Sequence, residues 1–272
     1  MSGDLTPIWA LIVEPKPLPG SRNMAVDERL FRLAMAEPRT FLRFYQWERP
    51  TASLGYSQDP DKVVDLDFCR RNGVDVVRRM TGGKLVLHHR EVTYAVASSD
   101  AALFTETVRD SYRLISRALL TGLGLMGLSA QMAEAAPPSY ARGSMPCFAY
   151  AARDEIEIGG KKIVGSAQKR TGPAFLQHGS VPLEKDETLL AAVSRPGESE
   201  PGQGMTSLSE AAGRPVDFAS AVTALSRGFA DFFGVSLAPF ALGPDDQAAV
   251  AALQASKYGA DDWTLRRRSG PR

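Results

Sequence analysis

Apolar and polar positions alternate along this chain in two periods, and the periods divide it into strands and amphipathic helices. The apolar run over 9–13, followed by a Pro/Gly stretch over 15–20, predicts a strand and then a loop. Met24, Leu30, Phe31 and Ala34 fall near helical spacing and predict a helix over 23–36, ended by Pro38. Over 41–47 a period of two puts Phe41, Tyr45 and Trp47 on one face and Leu42 and Phe44 on the other. Residues 61–72 predict a helix closed by Gly73, with Cys69 on it beside Phe68, where core packing suits the thiol best. Two strands are predicted over 74–79 and 85–98, joined by Thr81-Gly82-Gly83-Lys84. Val108, Tyr112, Ile115 and Leu119 recur as one face of a helix. Residues 129–146, rich in Ala, Pro, Ser and Gly, read as a loop of a length that is often functional in compact domains. Gly159-Gly160 signals a hairpin between strands over 155–158 and 162–167, and a further strand is predicted over 175–183. After a second Gly/Pro-rich stretch over 194–217, helices are predicted around 218–233 and 245–256. The mixture, with no internal repeat, predicts an α+β (mixed α/β) architecture in one domain over 1–272 with a helical C-terminal part over 205–265.

Composition narrows the classes further. The chain has 272 residues, 44% hydrophobic and 23% charged, with a formal charge of +1. Disorder requires low hydrophobicity and high net charge, and neither is present. A charge of +1 supplies no global field for nucleic acid or an anionic membrane. No apolar run approaches the roughly 18 residues of a membrane-spanning helix. The first residues carry Asp4 and no basic segment, so no secretory leader is expected and a cytoplasmic location is. Two cysteines, Cys69 and Cys147, cannot make a disulfide framework or a four-ligand zinc site, and no His/Cys/Asp group has ligand spacing, so no metal is expected. A monomer is expected, since no coiled-coil heptads occur.

Three places could carry chemistry. In Arg78-Arg79-Met80-Thr81-Gly82-Gly83-Lys84 the paired glycines let backbone N–H groups approach an anion or a carbonyl oxygen, with charge supplied at the flanks. The spacing fits neither phosphate-binding glycine pattern of the common nucleotide folds, and an ordinary basic turn fits the residues as well. His88 and His89 must point to opposite faces of their strand; for these and for His178, a packing role competes with a functional one. Cys147 follows Pro146 at the end of the long loop, and Lys161 and Lys162 of the hairpin could give it the electropositive setting a reactive thiolate needs.

Together these stretches resemble the lipoate–protein ligase and octanoyltransferase superfamily, which also holds the biotin ligases. Asn23-Met24-Ala25-Val26-Asp27-Glu28 is similar to its N-M-A-x-D-E helix start, and Ser53-Leu54-Gly55-Tyr56-Ser57-Gln58 to its S-x-G-x-x-Q strand. Arg78 to Lys84 with Val86 and His88 resembles its lipoyl loop. Gly160-Lys161-Lys162-Ile163-Val164-Gly165-Ser166-Ala167-Gln168 with Gln177-His178-Gly179-Ser180 resembles its G-[RK]-K-[IV]-x-G-[SN]-A-Q … H-G-[ST] signature. These cover roughly 20–185 in the family's order. Pro146-Cys147-Phe148 falls where the Cys-dependent octanoyltransferase branch carries its nucleophile.

The resemblance implies a biotin/lipoate protein ligase-like catalytic domain of mixed, largely antiparallel sheets flanked by helices. It implies that Cys147 takes an octanoyl group from the thioester of octanoyl-acyl carrier protein and passes it to a lysine of a lipoyl domain or the glycine-cleavage H protein. Lys162 would stand at the acyl carbonyl. Arg78, Arg79, Thr81, Gly82, Gly83, His88, Gly165, Ser166, Ala167, His178 and Gly179 would bind the acyl substrate. No cofactor is implied, because thioester exchange and amide formation need no ATP. A basic patch near Arg78, Arg79 and Lys84 would attract the acidic carriers. Two departures stand out: His89 replaces a frequent Asp, and Lys84-Leu85 adds bulk expected near the acyl channel. The alternatives are an ATP- and Mg-dependent lipoate–protein ligase, with Cys147 incidental, and a non-catalytic acyl- or lipoyl-domain-binding protein.

Overall fold

The β-branched and aromatic runs pair into two sheets, and the amphipathic segments cover their faces. The computed structural model describes residues 6–104, 107–133, 155–195 and 204–267. In chain order the elements are β1 (Ile8–Val13), α1 (Gly20–Ala36), β2 (Phe41–Tyr45), β3 (Thr51–Leu54), α2 (Pro60–Val63), α3 (Leu66–Asn72) and β4 (Asp75–Arg78). There follow β5 (Val86–His88), β6 (Glu91–Ser98), α4 (Val108–Leu125), β7 (Gln131–Met132), β8 (Ile156–Ile158), β9 (Lys161–Thr171), β10 (Ala174–Pro182) and α5 (Glu187–Val193). The chain ends through α6 (Leu208–Ala212), α7 (Phe218–Phe233), β11 (Ser236–Pro239), α8 (Pro244–Leu253) with a π-helical turn over Gln254–Tyr258, and α9 (Asp261–Thr264).

The large sheet has eight strands in the order β11-β1-β2-β6-β10-β9-β8-β7, and the small one three, in the order β4-β3-β5. β11/β1, β1/β2 and β3/β4 pair in parallel and the other six neighbours antiparallel, so the sheets are mixed and largely antiparallel. One face of the large sheet buries Leu42, Phe44, Tyr94 and Phe175 against α4 and α7. The other buries Phe41, Tyr45, Ala95 and Leu176 against α1 and the C-terminal residues Tyr258 and Trp263. The period-two reading of 41–47 therefore describes the two faces of β2. The small sheet has its own core, where Cys69 packs with Ala52, Leu54, Val64 and Leu85. Burial, with the Asp65 charge adding to it, pushes the Cys69 thiol up to about 11, which keeps it protonated and inert. None of the described helices is long and apolar enough to cross a membrane.

Four local expectations are corrected. The predicted strand over 85–98 divides, because Arg90 takes a left-handed φ of 50° that sends β5 to the small sheet and β6 to the large one. β4 and β5 do not pair with each other across the glycine loop; both pair with β3. The helix over 61–72 breaks at the extended Val64, which bridges to Ser194, and Asp65 restarts it by accepting the Phe68 N–H at 2.8 Å. The C-terminal part over 205–265, expected to be helical, also contributes β11 to the edge of the large sheet. The Gly159-Gly160 hairpin forms as expected, both glycines having positive φ (58° and 76°) between β8 and β9.

Candidate active site

Where the small sheet leans on the large one, a narrow cleft opens between them. Its wall on the large sheet is Gly165, Ser166, Ala167, His178, Gly179 and Ser180, from the paired strands β9 and β10. Met24 of α1, Tyr45, Trp47 and Thr93 close another side, and Arg79, Val86 and His88 come from the small sheet and its loop. Small side chains on β9 and β10 leave the groove open, whereas the opposite side is aromatic and aliphatic. That combination suits a slender apolar ligand ending at polar groups.

Two buried arrays flank the cleft. On the large sheet, His178 Nδ1 lies 2.9 Å from Asp27 Oδ2 and its Nε2 lies 2.7 Å from Thr81 Oγ1. Asp27 also accepts from Arg43 Nη1 at 2.8 Å and from the Tyr45 hydroxyl at 2.9 Å. Burial alone would raise the Asp27 carboxyl, but the His178 hydrogen bond and the Arg43 charge hold it below the usual carboxylate value. Burial pushes the His178 imidazole below its ordinary value; the Asp27 carboxylate offsets only part of that, and the Arg79 charge adds to it. The imidazole is therefore neutral, with its proton on Nδ1 facing the carboxylate.

On the small sheet, His88 Nδ1 lies 2.8 Å from Glu91 Oε1 and its Nε2 lies 2.7 Å from Ser53 Oγ. The His88 ring stacks on Trp47 at 4.0 Å, and Trp47 Nε1 donates to Thr93 Oγ1 at 2.7 Å. Glu91 also accepts from the Thr93 and Ser180 hydroxyls. Burial opposes ionisation of Glu91, yet the neighbouring His88 and these donors hold its carboxyl below the usual range. Ser53, His88 and Glu91 have the connectivity of a serine-hydrolase triad, but the chemistry does not follow. Ser53 Oγ is buried, accepts from Arg79 Nη1 at 2.6 Å, and does not line the cleft.

Arg79 is the link from this array to the glycine loop. It also donates to the carbonyl oxygens of Ser53 (2.7 Å), Gly82 (3.1 Å) and Lys84 (2.9 Å). The loop runs so close to β3 that a Cβ on Gly55 would sit 1.9 Å from the Gly83 oxygen, and Gly83 itself has φ +93°. Gly55 and Gly83 are thus fixed by contact and by conformation.

Other residues singled out in the sequence lie elsewhere. Arg78 is fully buried and donates to the carbonyls of Gly55, Tyr56, Gln58, Trp263 and Thr264, tying the C-terminal segment to the turn after β3. Thr81, Gly82 and Gly83 sit beside the cleft without lining it. With Arg78 and Arg79 only 0% and 4% exposed, the expected basic surface patch of Arg78, Arg79 and Lys84 does not exist as such. Leu85, expected near the acyl channel, packs in the small-sheet core instead. His89 turns away from His88 and pairs with Asp186 at 3.1 Å. Lys162 is fully buried on β9, just before the register shift that sets Ile156 opposite Val164, with Nζ 2.8 Å from Glu155 Oε2, and its backbone is pinned to Gly204 and Thr206. Ser166 Oγ meets Tyr94 Oη at 2.7 Å, and burial raises the Tyr94 phenol to about 12. Cys147 lies outside the described residues.

Sequence reasoning left Asp27, Arg43, Ser53, Glu91 and Glu155 without roles. Asp27 and Ser53 stood inside quoted motifs. The signal for Arg43 was a charge in the otherwise apolar strand Phe41–Tyr45, every residue of which is buried.

Comparison with known proteins agrees with this architecture. Residues 19–230 match the model of the lipoyl protein ligase A/B catalytic domain family. The chain is 38% identical to octanoyltransferase LipM of Symbiobacterium thermophilum, covering 92% of the chain and 95% of that protein. It is 35% identical to octanoyltransferase LipM of Brevibacillus brevis, over 95% and 99%. Among solved structures, lipoate-protein ligase A bound with ATP superposes with a TM-score of 0.80 at 22% identity, covering 94% of this chain and 98% of that one. The bipartite lipoate protein ligase of Thermoplasma acidophilum gives 0.77 at 22% identity, over 95% and 96%. At that identity the two ligases speak to the fold alone.

Proposed function

The chain belongs to the lipoyl protein ligase A/B catalytic domain family, and from that premise we propose that it is an octanoyltransferase of protein lipoylation. It moves an octanoyl group from acyl carrier protein to a lysine of a lipoyl domain or of the glycine-cleavage H protein. The observation that carries this reading is a match along nearly the whole chain, at 38% identity, to a protein named octanoyltransferase. The ligase alternative rests on structural likeness at 22% identity and is less supported.

The transfer proceeds in two balanced steps. The Cys147 thiolate attacks the carbonyl of the carrier thioester, the tetrahedral oxyanion collapses, and the carrier thiolate leaves and takes a proton. The target lysine amine then attacks the enzyme thioester, expels the Cys147 thiolate and loses a proton to become an amide. Thioester for thioester is nearly isoenergetic and thioester to amide runs downhill, so ATP is not consumed. The cleft takes the apolar chain. Lys162 and the backbone N–H groups of the loop over 81–84 stabilise the charge that grows on the carbonyl oxygen.

The test is intact mass of the protein after incubation with octanoyl-acyl carrier protein, without ATP. A hydroxylamine-labile octanoyl adduct, absent in Cys147→Ala, is expected; modification of a carrier domain only when ATP is added would establish the ligase instead. Lys162 carries a second expectation. Lys162→Met should lower transfer by about 10²–10³-fold and take the Lys162 cation from the buried Glu155, whose charge adding Glu155→Gln removes. Stability recovering while transfer stays low separates chemistry from folding. An unchanged rate in either variant would remove Lys162 from the site.

A further inference from the structure

The loop over 81–84 is fastened at both ends by buried side chains that the two transfer steps do not use. At one end Thr81 is held by His178 and, through it, by Asp27. At the other, Arg79 grips the Gly82 and Lys84 carbonyls and is itself backed by Ser53, His88 and Glu91. Proton arithmetic fixes the direction of this second chain. Arg79 can only donate, so Ser53 Oγ accepts from it, and the single Ser53 proton goes to His88 Nε2 at 2.7 Å rather than to the Val86 oxygen at 3.5 Å. His88 then carries its proton on Nδ1, where Glu91 accepts it. A trans peptide points its N–H opposite its C=O, so the grip on the Gly82 carbonyl also sets where the Gly83 N–H points.

We infer that these two chains are positioning relays for acyl transfer: they hold the loop in the one backbone conformation whose N–H groups meet the acyl carbonyl, and neither imidazole passes a proton to or from substrate. The inference rests on the transferase reading and adds to it that His88 and His178 act through the loop. It explains why two hydroxyl–imidazole–carboxylate arrays flank one cleft with both hydroxyls buried and neither lining it.

Ser53→Ala and Thr81→Val each remove one hydroxyl and cut one relay with little change of volume. Each should lower kcat for acyl-enzyme formation by about 10–100-fold, with KM for octanoyl-acyl carrier protein nearly unchanged, because the lost stabilisation belongs to the transition state. Hydrogen exchange in the peptide spanning 79–86 should quicken in both. Adding Glu91→Gln to Ser53→Ala should cost nothing more in kcat, since that relay is already cut and Glu91 does not line the cleft, whereas Ser53→Ala with Thr81→Val should multiply. The inference is overturned by a raised KM at constant kcat, by multiplication within one relay, or by loop exchange identical to wild type. The exchange measurement needs no substrate. If the wild-type protein forms no acyl-enzyme, the transferase reading fails while exchange still judges the relays.

Discussion

His88 and His178 stand on different sheets with the same kinds of neighbour, and the position of the cation separates them. Each imidazole has a carboxylate on Nδ1 and a hydroxyl on Nε2. Around His178 the cation is Arg43, behind the carboxylate, where it also bonds Asn23 and Glu14 and lies 3.9 Å over the Tyr45 ring. That array buries its paired charges between α1 and the large sheet and reaches the loop only through the uncharged Thr81 hydroxyl. Around His88 the carboxylate takes donors from His88 itself, Thr93, Trp47 and Ser180, and the guanidinium is Arg79, beyond the hydroxyl. Its charge therefore ends on the glycine loop. The first array holds the loop from a scaffold whose charge is compensated in the core; the second brings a charged guanidinium to the loop itself.

The difference predicts unequal costs. Asp27→Ala strips Arg43 and His178 of their shared carboxylate inside the core, and should destabilise the fold by about 3–5 kcal/mol, read by denaturant unfolding. Glu91→Gln keeps the shape and an acceptor while removing the charge from a site with no guanidinium on the carboxylate, and should cost about 1–2 kcal/mol. Equal losses in the two variants would erase the distinction between the two arrays. The smallest effect is one of pH. Because the folded-state pKa of His178 is lowered, the folded protein binds fewer protons than the unfolded chain once pH falls below the ordinary histidine value of about 6.5. Stability should then decline toward the lowered value, by at most about 1.4 kcal/mol per pH unit. The depressed Asp27 and Glu91 carboxyls contribute stability that is lost only below the ordinary carboxylate range. Unfolding midpoints from pH 7.5 to 5.5 should slope in the wild type and flatten in His178→Gln; a flat wild-type profile would show that this imidazole is not held neutral by the fold.

Elements with several turns or pairs showed in the sequence, because a period needs room to repeat. α1, α4 and α7 announced themselves by helical spacing, and β8 and β9 by the glycine pair between them. β11 has four residues and its place beside β1 depends on residues more than 200 positions earlier, so no local pattern marks it. The break at Arg90 is a single backbone angle. The site followed the same rule. Residues within contiguous motifs, such as His88, Ser166 and His178, could be picked out and do line the cleft. Their partners could not be, since Asp27 meets His178 across 151 positions and Arg43 reaches it from another element. Arg78 and Arg79 are adjacent in the chain with opposite duties, one binding the C-terminal segment and one the loop, which charge patterning cannot distinguish.

The central claim is that an acyl group passes through the enzyme without ATP. It is tested most directly by isolating the protein after reaction with octanoyl-acyl carrier protein, removing the donor, and adding an unmodified lipoyl domain in nucleotide-free buffer. The account predicts that the octanoyl mass leaves the enzyme and appears on the domain as a hydroxylamine-resistant amide on lysine. An enzyme that modifies the domain only when ATP and free octanoate are supplied would contradict it.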